Sequence, residues 1–569
     1  MRARLAPLSL AVVVGAFACG PAPGAKGPQG AATNDGANDG GDGWPALRDA
    51  TVERLLAIEP GWGRQLGLHS YDGKVPDLSE PALQARLAFY DRALHDLDAL
   101  VAKKRSEDDA LDLQILRARL RRRRFELVER DEAHTLPQFY EELFGLDDYI
   151  ERAYAPIETR CARLVEHEEA SLLQVAHVRE NLRLPLSATV ARVAGKNFLG
   201  YGEYLRGDVA KACGGAGADA QKARFSRSNE ALAKAADALG TWLRDEVAPK
   251  GNDSHVLGEA KYRALLDVQE GLTTLPLAEF SKMAEDDLAR NKSAYEALSK
   301  TAAPTRPAPK ELLAEASKVM EQARAFLVEK KIVTIQGTDL ARVKESPPFM
   351  RWNAAFLDAS GPFDDYKDAF FYVTLPDPTW PAKEQAEYVP TRGILTATTV
   401  HEVWPGHFLQ ARWQALAPTR LQQMSWSYSF GEGWAHYAEQ MMIDEGFAAG
   451  SPEARLGQLA DALLRNCRFV VSIGVHTGGM TMEQAAGRFV DDCKQDAATA
   501  QQQAERATFD PGYFAYTLGK LQILALRAEA KQRLGAKFSL QQFHDALLGH
   551  GAPPVALIHD RVLRELGAM

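Results

Sequence analysis

Two short segments bring together residue types that can hold and use a metal ion. The first reads Thr399-Val400-His401-Glu402-Val403-Trp404-Pro405-Gly406-His407, and the second Phe430-Gly431-Glu432-Gly433-Trp434-Ala435-His436-Tyr437-Ala438-Glu439. A catalytic zinc takes three protein ligands, His or carboxylate, and leaves one position for water. The metal brings the pKa of that water to about 7, and a neighbouring carboxylate moves its proton to the leaving group. On this reading His401, His407 and Glu432 are the metal ligands, and Glu402, directly after His401, is the general base.

The spacing departs from the familiar helical His-Glu-x-x-His, in which the imidazoles at i and i+4 share a face. Pro405 occupies i+4 from His401, and the second imidazole comes at His407, i+6. On a regular helix that step is roughly 600°, leaving the rings about 120° apart. Proline interrupts a helix and glycine permits unusual backbone angles. The motif therefore predicts a kink or bulge at Pro405-Gly406 that turns His407 back towards His401. Glu432 and Glu439 are nearly two helical turns apart and share a face. Glu432 is the ligand candidate, and Glu439 is placed to orient a ligating His. His436 reads as a histidine of the core or the cleft.

With these residues in view, His-Glu-x-x-Pro-Gly-His followed by Glu-Gly-Trp-Ala-x-Tyr-x-Glu resembles the bacterial "domain of unknown function 885" family, placed with the zincin-like metallopeptidases. Asp77-Leu78-Ser79, Tyr372 to Pro381, Pro511-Gly512 with Tyr516 and Gly519-Lys520, and Phe543-His544-Asp545 are similar to other segments of that family. The likeness runs from about Asp49 to the C-terminus. Where the family often has two consecutive His, this chain has His407-Phe408, leaving His407 as the second imidazole. Where it tends to have Asp before Thr-Gly-x-His, this chain has Ser472-Ile473-Gly474-Val475-His476. The resemblance implies a large, mainly α, two-lobed zincin-like metallohydrolase with a small β element beside the cleft, using Zn2+ to cleave peptides. A non-catalytic binding lipoprotein on the same fold, or an amide hydrolase of a non-peptide substrate, are the alternatives. Amide hydrolysis passes through an oxyanion that needs a donor besides the metal. Tyr516 and His476 are the first candidates, with Lys520, one turn from Tyr516, and Arg468 as further ones.

The elements around these residues are mostly helical. The chain has 569 residues, 46% hydrophobic and 25% charged, in the range of globular proteins. A net charge of −9 argues against nucleic-acid binding. Residues 1–18 read as a signal peptide, with Arg2 and Arg4 before an apolar run too short to span a bilayer. Cys19 follows directly, which suggests a lipid-anchored protein facing the periplasm; a secreted protein is the alternative. Residues 19–44, rich in Gly, Pro, Asn and Asp, form a flexible tether.

Residues 45–300 are expected to form an N-terminal helical lobe and 301–569 the lobe carrying the metal motif. Leu83, Leu87, Tyr90, Leu94, Leu97 and Leu100 define one amphipathic helix, with Ser79 as its N-cap and Pro81 in its first turn. The basic run Arg117 to Arg124 reads as a solvated helix face. Ile332 to Ile335 and Phe370 to Thr374 are predicted strands, the second being the candidate edge for an extended peptide. Cys161, Cys213, Cys467 and Cys493 do not make a disulfide framework, although one bridge is permitted. Cys467 and Cys493 read as buried small residues. The peptide substrate is the expected partner, with membrane contact only through Cys19.

Overall fold

Helices dominate the computed structural model, which describes residues 43–569 apart from 348–349, 352 and 366–367. The signal segment, Cys19 and nearly all of the tether lie outside the described residues. Helix Glu80–Asp98 follows Ser79 with proline in its first turn and buries Leu83, Tyr90, Ala93 and Leu97, so its periodicity was legible. Helix Leu312–Lys330 likewise buries Leu312, Ala316, Val319, Ala323 and Leu327.

The basic run lies on helix Glu107–Val128, whose N-cap Ser106 accepts from the Asp109 amide. Its arginines stay partly exposed, as a solvated face would, but they are also tied to carboxylates. Arg119 and Arg123 converge on Glu59, Arg121 reaches Asp267, and Arg124 reaches Asp91. The run is thus a connector between elements.

The apolar interior is divided. One core, from Leu78 to Val247, is built within the N-terminal helices. A second joins Leu265 and Phe280 to Phe469 and Phe514, and a third joins Leu111 and Ile115 to residues beyond Leu312. Both of these draw on residues from either side of position 300. Two disulfides occur where at most one was expected: Cys161–Cys213 inside the first core and Cys467–Cys493 beside the second. The pairs are 52 and 26 residues apart in sequence, and only the folded arrangement of the chain brings them together.

The β element is a three-stranded sheet ordered β1-β3-β2, with β1 Ala341–Glu345, β2 Ala355–Ala359 and β3 Ala369–Val373. β1 runs parallel to β3, and β2 antiparallel with Leu357 opposite Phe371. The predicted strand at Phe370 exists, but it is central and paired on both sides. It is therefore not an edge that could accept a peptide; the edges are β1 and β2. The segment Ile332 to Ile335 is not a strand. Its backbone is satisfied by side chains, with the Thr334 amide donating to Asp545 and Trp413 Nε1 donating to the Thr334 carbonyl.

Six helices frame the metal-ligand candidates: α1 Arg392–Glu402, α2 His407–Gln414, α3 Tyr428–Asp444, α4 Pro452–His476, α5 Ala497–Ala507 and α6 Ala515–Leu534. α3 and α6 cross at glycines: a Cβ on Gly433 would lie 2.5 Å from Gly519 Cα. That close approach sets Glu432 of α3 near Tyr516 of α6.

Candidate metal centre

Helix α1 begins with Thr391 capping the Ile394 amide and stops at Val403, so His401 and Glu402 stand on its last turn. The helix is interrupted at Pro405-Gly406, as the motif predicts, and the interruption is an end and restart rather than a bulge within one helix. The chain turns sharply through a cis Trp404–Pro405 bond, and a new helix starts at His407. The turn is closed by Gly406 N donating to Val400 O at 3.0 Å and by Trp434 Nε1 donating to Pro405 O at 2.8 Å. Position 406 must be glycine, because a Cβ there would lie 1.7 Å from the His401 carbonyl oxygen. The restart solves the i+6 problem: the two imidazole centroids are 4.8 Å apart.

Both rings aim Nε2 at one oxygen. His401 Nε2 and His407 Nε2 each lie 3.4 Å from Glu432 Oε2, and all three residues are buried. Their ligand atoms fall within 4.8 Å of one another. A separation of 3.4 Å is long for a hydrogen bond. It matches two donors that each stand about 2.0–2.1 Å from a shared tetrahedral metal, which places them about 3.3–3.4 Å apart. The residues present therefore fit a divalent metal with an N,N,O donor set.

The outer groups fix the ring orientation. His401 Nδ1 meets Glu439 Oε1 at 2.6 Å, while Glu439 also takes Arg465 Nη2 at 3.1 Å and His436 Nδ1 at 3.2 Å. Burial alone would push the Glu439 carboxyl up, but Arg465 and the two histidines hold it well below the usual range. For Glu432, too, burial opposes ionisation and the adjoining imidazoles outweigh it. Burial and Arg465 lower the His401 pKa, yet the two carboxylates draw it up to about 9.

Glu402 is 8% exposed, and its Oε2 accepts a 3.1 Å hydrogen bond from the Leu357 amide of β2. Its pKa is raised, chiefly by burial and against the pull of His401 and His407. Because Leu357 spends its N–H here, the edge strand and the base are locked together.

Tyr516 comes close to this group. Burial, then Glu432, raises its pKa, and its ring stacks edge-on to Tyr428 at 5.6 Å. Its hydroxyl has no hydrogen-bond partner among the described residues. Lys520, on the same face of α6, is spent on Asp287 at 2.9 Å. His476 is not brought to the donors. It stands eleven residues from Arg465, about 16 Å along α4. Its ring nitrogens face the His255 and Ala507 carbonyls at 3.1 and 2.6 Å. Burial pushes its pKa down to about 3, so the neutral ring donates to one of them. The expectation that His476 serves the site is corrected to a buried structural histidine.

Arg465 and β2 escaped the sequence reading. Asp461, Arg465, Arg468 and Ser472 recur every three or four residues along a buried helix, and that polar stripe was the available signal. Ala-Phe-Leu-Asp-Ala carries no comparable mark.

A family model described as "Bacterial protein of unknown function (DUF885)" matches residues 60–562. The chain belongs to that family. Its helical architecture is shared by a candidate lipoprotein of unknown function from Shewanella oneidensis, 23% identical with a TM-score of 0.76, covering 91% of this chain and 99% of that one. A candidate lipoprotein from Colwellia psychrerythraea is 17% identical with the same TM-score, covering 92% and 99%. An M32 carboxypeptidase from Deinococcus radiodurans R1 aligns at 12% identity over 92% and 90% of the two chains. Its TM-score of 0.37 is too low to carry an argument. Comparison with curated proteins returns no match.

Proposed function

We propose that this DUF885 protein is a zinc-dependent hydrolase that cleaves peptide bonds. The observation that carries the reading is the convergence of two Nε2 atoms on Glu432 Oε2 at tetrahedral donor spacing, with a buried carboxylate, Glu402, on the residue next to one of them. Zinc at His401, His407 and Glu432 supplies Lewis-acid chemistry.

The protein's own groups do the rest. Glu402 takes a proton from the attacking water and delivers it to the leaving nitrogen. Burial, which raises its pKa, makes it a stronger base than a surface carboxylate. The Leu357 amide fixes the direction of that carboxylate. Tyr516 directs its free hydroxyl at the oxyanion as it forms. Glu439, anchored by Arg465, keeps His401 Nδ1 occupied so that Nε2 faces the metal.

Two disulfides suit an oxidising compartment. Among the described residues no helix is long and apolar enough to cross a membrane. The disulfides, together with the signal-like start and Cys19, support an exported protein held to the membrane by a lipid on Cys19.

The test is metal analysis together with peptide turnover. The purified protein should carry one zinc and cleave members of a mixed-peptide library, read by mass spectrometry. His407→Ala should lose the metal. Full occupancy in that variant, or no cleavage by the zinc-loaded wild type, overturns the proposal.

A further inference from the structure

Three arginines gather behind Tyr516, and two of them are paired. Arg465 reaches Glu439 at 3.1 Å. Arg506 of α5 reaches Asp510 at 2.9 Å and the Tyr428 hydroxyl at 2.8 Å. Arg468 has no such partner. It is 8% exposed; its Nε donates to Gln503 Oε1 at 2.9 Å, and its guanidinium stands 4.8 Å from the Tyr516 ring centroid. Among the described residues no carboxylate pairs with it. After burial, the charged group acting on it most strongly is another cation, Arg506.

A buried cation without a counter-charge is costly, and folded chains avoid it unless something else supplies the anion. Arg468 stays charged at any working pH, and its planar fork matches a carboxylate with two parallel hydrogen bonds. The Tyr516 phenol feels Glu432 as well as Arg506, Arg468 and Arg465. The orphan guanidinium and the metal-ligand candidates therefore flank one ring.

We propose that Arg468 receives a carboxylate of the peptide substrate, its free C-terminus. The inference takes the peptide from the hydrolase reading above. An internal stretch of peptide backbone is neutral and would leave Arg468 uncompensated, whereas a terminal carboxylate completes it. Hydrolysis then trims peptides from the C-terminal end. Water adds across the scissile bond, its oxygen to the acyl carbon, which leaves as a carboxylate, and both its protons to the amine, and the released fragment keeps its own C-terminal carboxylate on Arg468.

Binding, not turnover, tests this directly. The zinc-loaded Glu402→Gln protein is titrated calorimetrically with N-acetylated tripeptides in three forms: free acid, C-terminal amide, and amide with Glu as the last residue. The free acid should bind about 10- to 100-fold tighter than the neutral amide, the worth of a charge-assisted pair. Adding Arg468→Met should erase the preference without lowering the melting temperature, since an unpaired buried cation has been removed. Arg468→Lys, which keeps the charge without the fork, should give an intermediate preference and serves if the Met variant fails to fold.

Preference for the Glu-ended amide over the free acid overturns the assignment to the C-terminus, even if it is lost in Arg468→Met. Equal affinity for all three forms, no binding of either acidic form, or a preference that survives Arg468→Met overturns the proposal. Turnover of the same peptides by the wild type is read separately: an acid that binds through Arg468 and is not cleaved counts against the hydrolase reading alone.

Discussion

His401 Nδ1 and Glu439 Oε1 lie 2.6 Å apart across 38 residues of chain. This contact leaves Nε2 of the same ring free to face Glu432 and ties the ring to Arg465 through Glu439. Outer carboxylates of this kind typically tune metal affinity by about 10- to 100-fold. Glu439→Gln should accordingly bind zinc more weakly by that factor while remaining folded. Competition with a chromogenic chelator measures it, and an unchanged affinity would show that Glu439 does not orient the ligand.

Leu357 offers a test through the backbone. Its N–H faces Glu402 and not β3, so Leu357→Pro removes that donor at a sheet edge, where proline is tolerated. The bond favours the charged carboxylate, so losing it raises a pKa that burial has already raised. The base form then appears only at higher pH. The acid limb of the kcat/KM profile should move upward in pH, with activity recovering on the alkaline side. An unmoved limb contradicts the coupling of β2 to the base.

Tyr516→Phe removes one hydroxyl that has no hydrogen-bond partner among the described residues. Losing one oxyanion donor costs about 2.7–4 kcal/mol of barrier. The expected signature is a lower kcat with KM and melting temperature nearly unchanged. A lower melting temperature with kcat intact would mark Tyr516 as a packing residue.

Much of the site was legible in residue types because ligands must be His, Cys or carboxylate whatever the fold. The spacing of His401 and His407 demanded a break at Pro405-Gly406. It could not say that the helix would end and restart, since that depends on Trp434 reaching the Pro405 carbonyl from 29 residues away. The helix at Glu80–Asp98 followed from periodicity, a local property. The edge strand, the place of Phe370 in the sheet and the pairing of the cysteines are set by which elements meet, and no local pattern encodes that. His476 was misplaced for the same reason: its type suits catalysis, but its neighbours are carbonyls.

The Cys467–Cys493 bridge clamps α4, the helix that supplies Arg465 and Arg468, to the segment after it. Closing a loop of 26 residues stabilises the folded chain by about 3.5 kcal/mol in the chain-entropy account. Replacing both cysteines with alanine should lower the denaturation midpoint accordingly, and reductant should lower the midpoint of the wild type by more than that of the variant, which keeps only Cys161–Cys213. Equal midpoints for the two proteins in oxidising buffer would show that the bridge contributes nothing.

Glu402 is the group proposed to move the proton in a metal-dependent hydrolysis. The most direct measurement compares peptide turnover by zinc-loaded wild type and zinc-loaded Glu402→Gln at matched metal content. The amide keeps the shape of the side chain and removes the base, so kcat should fall by about 10²- to 10⁴-fold with the zinc retained. Turnover by Glu402→Gln equal to that of the wild type would contradict the account.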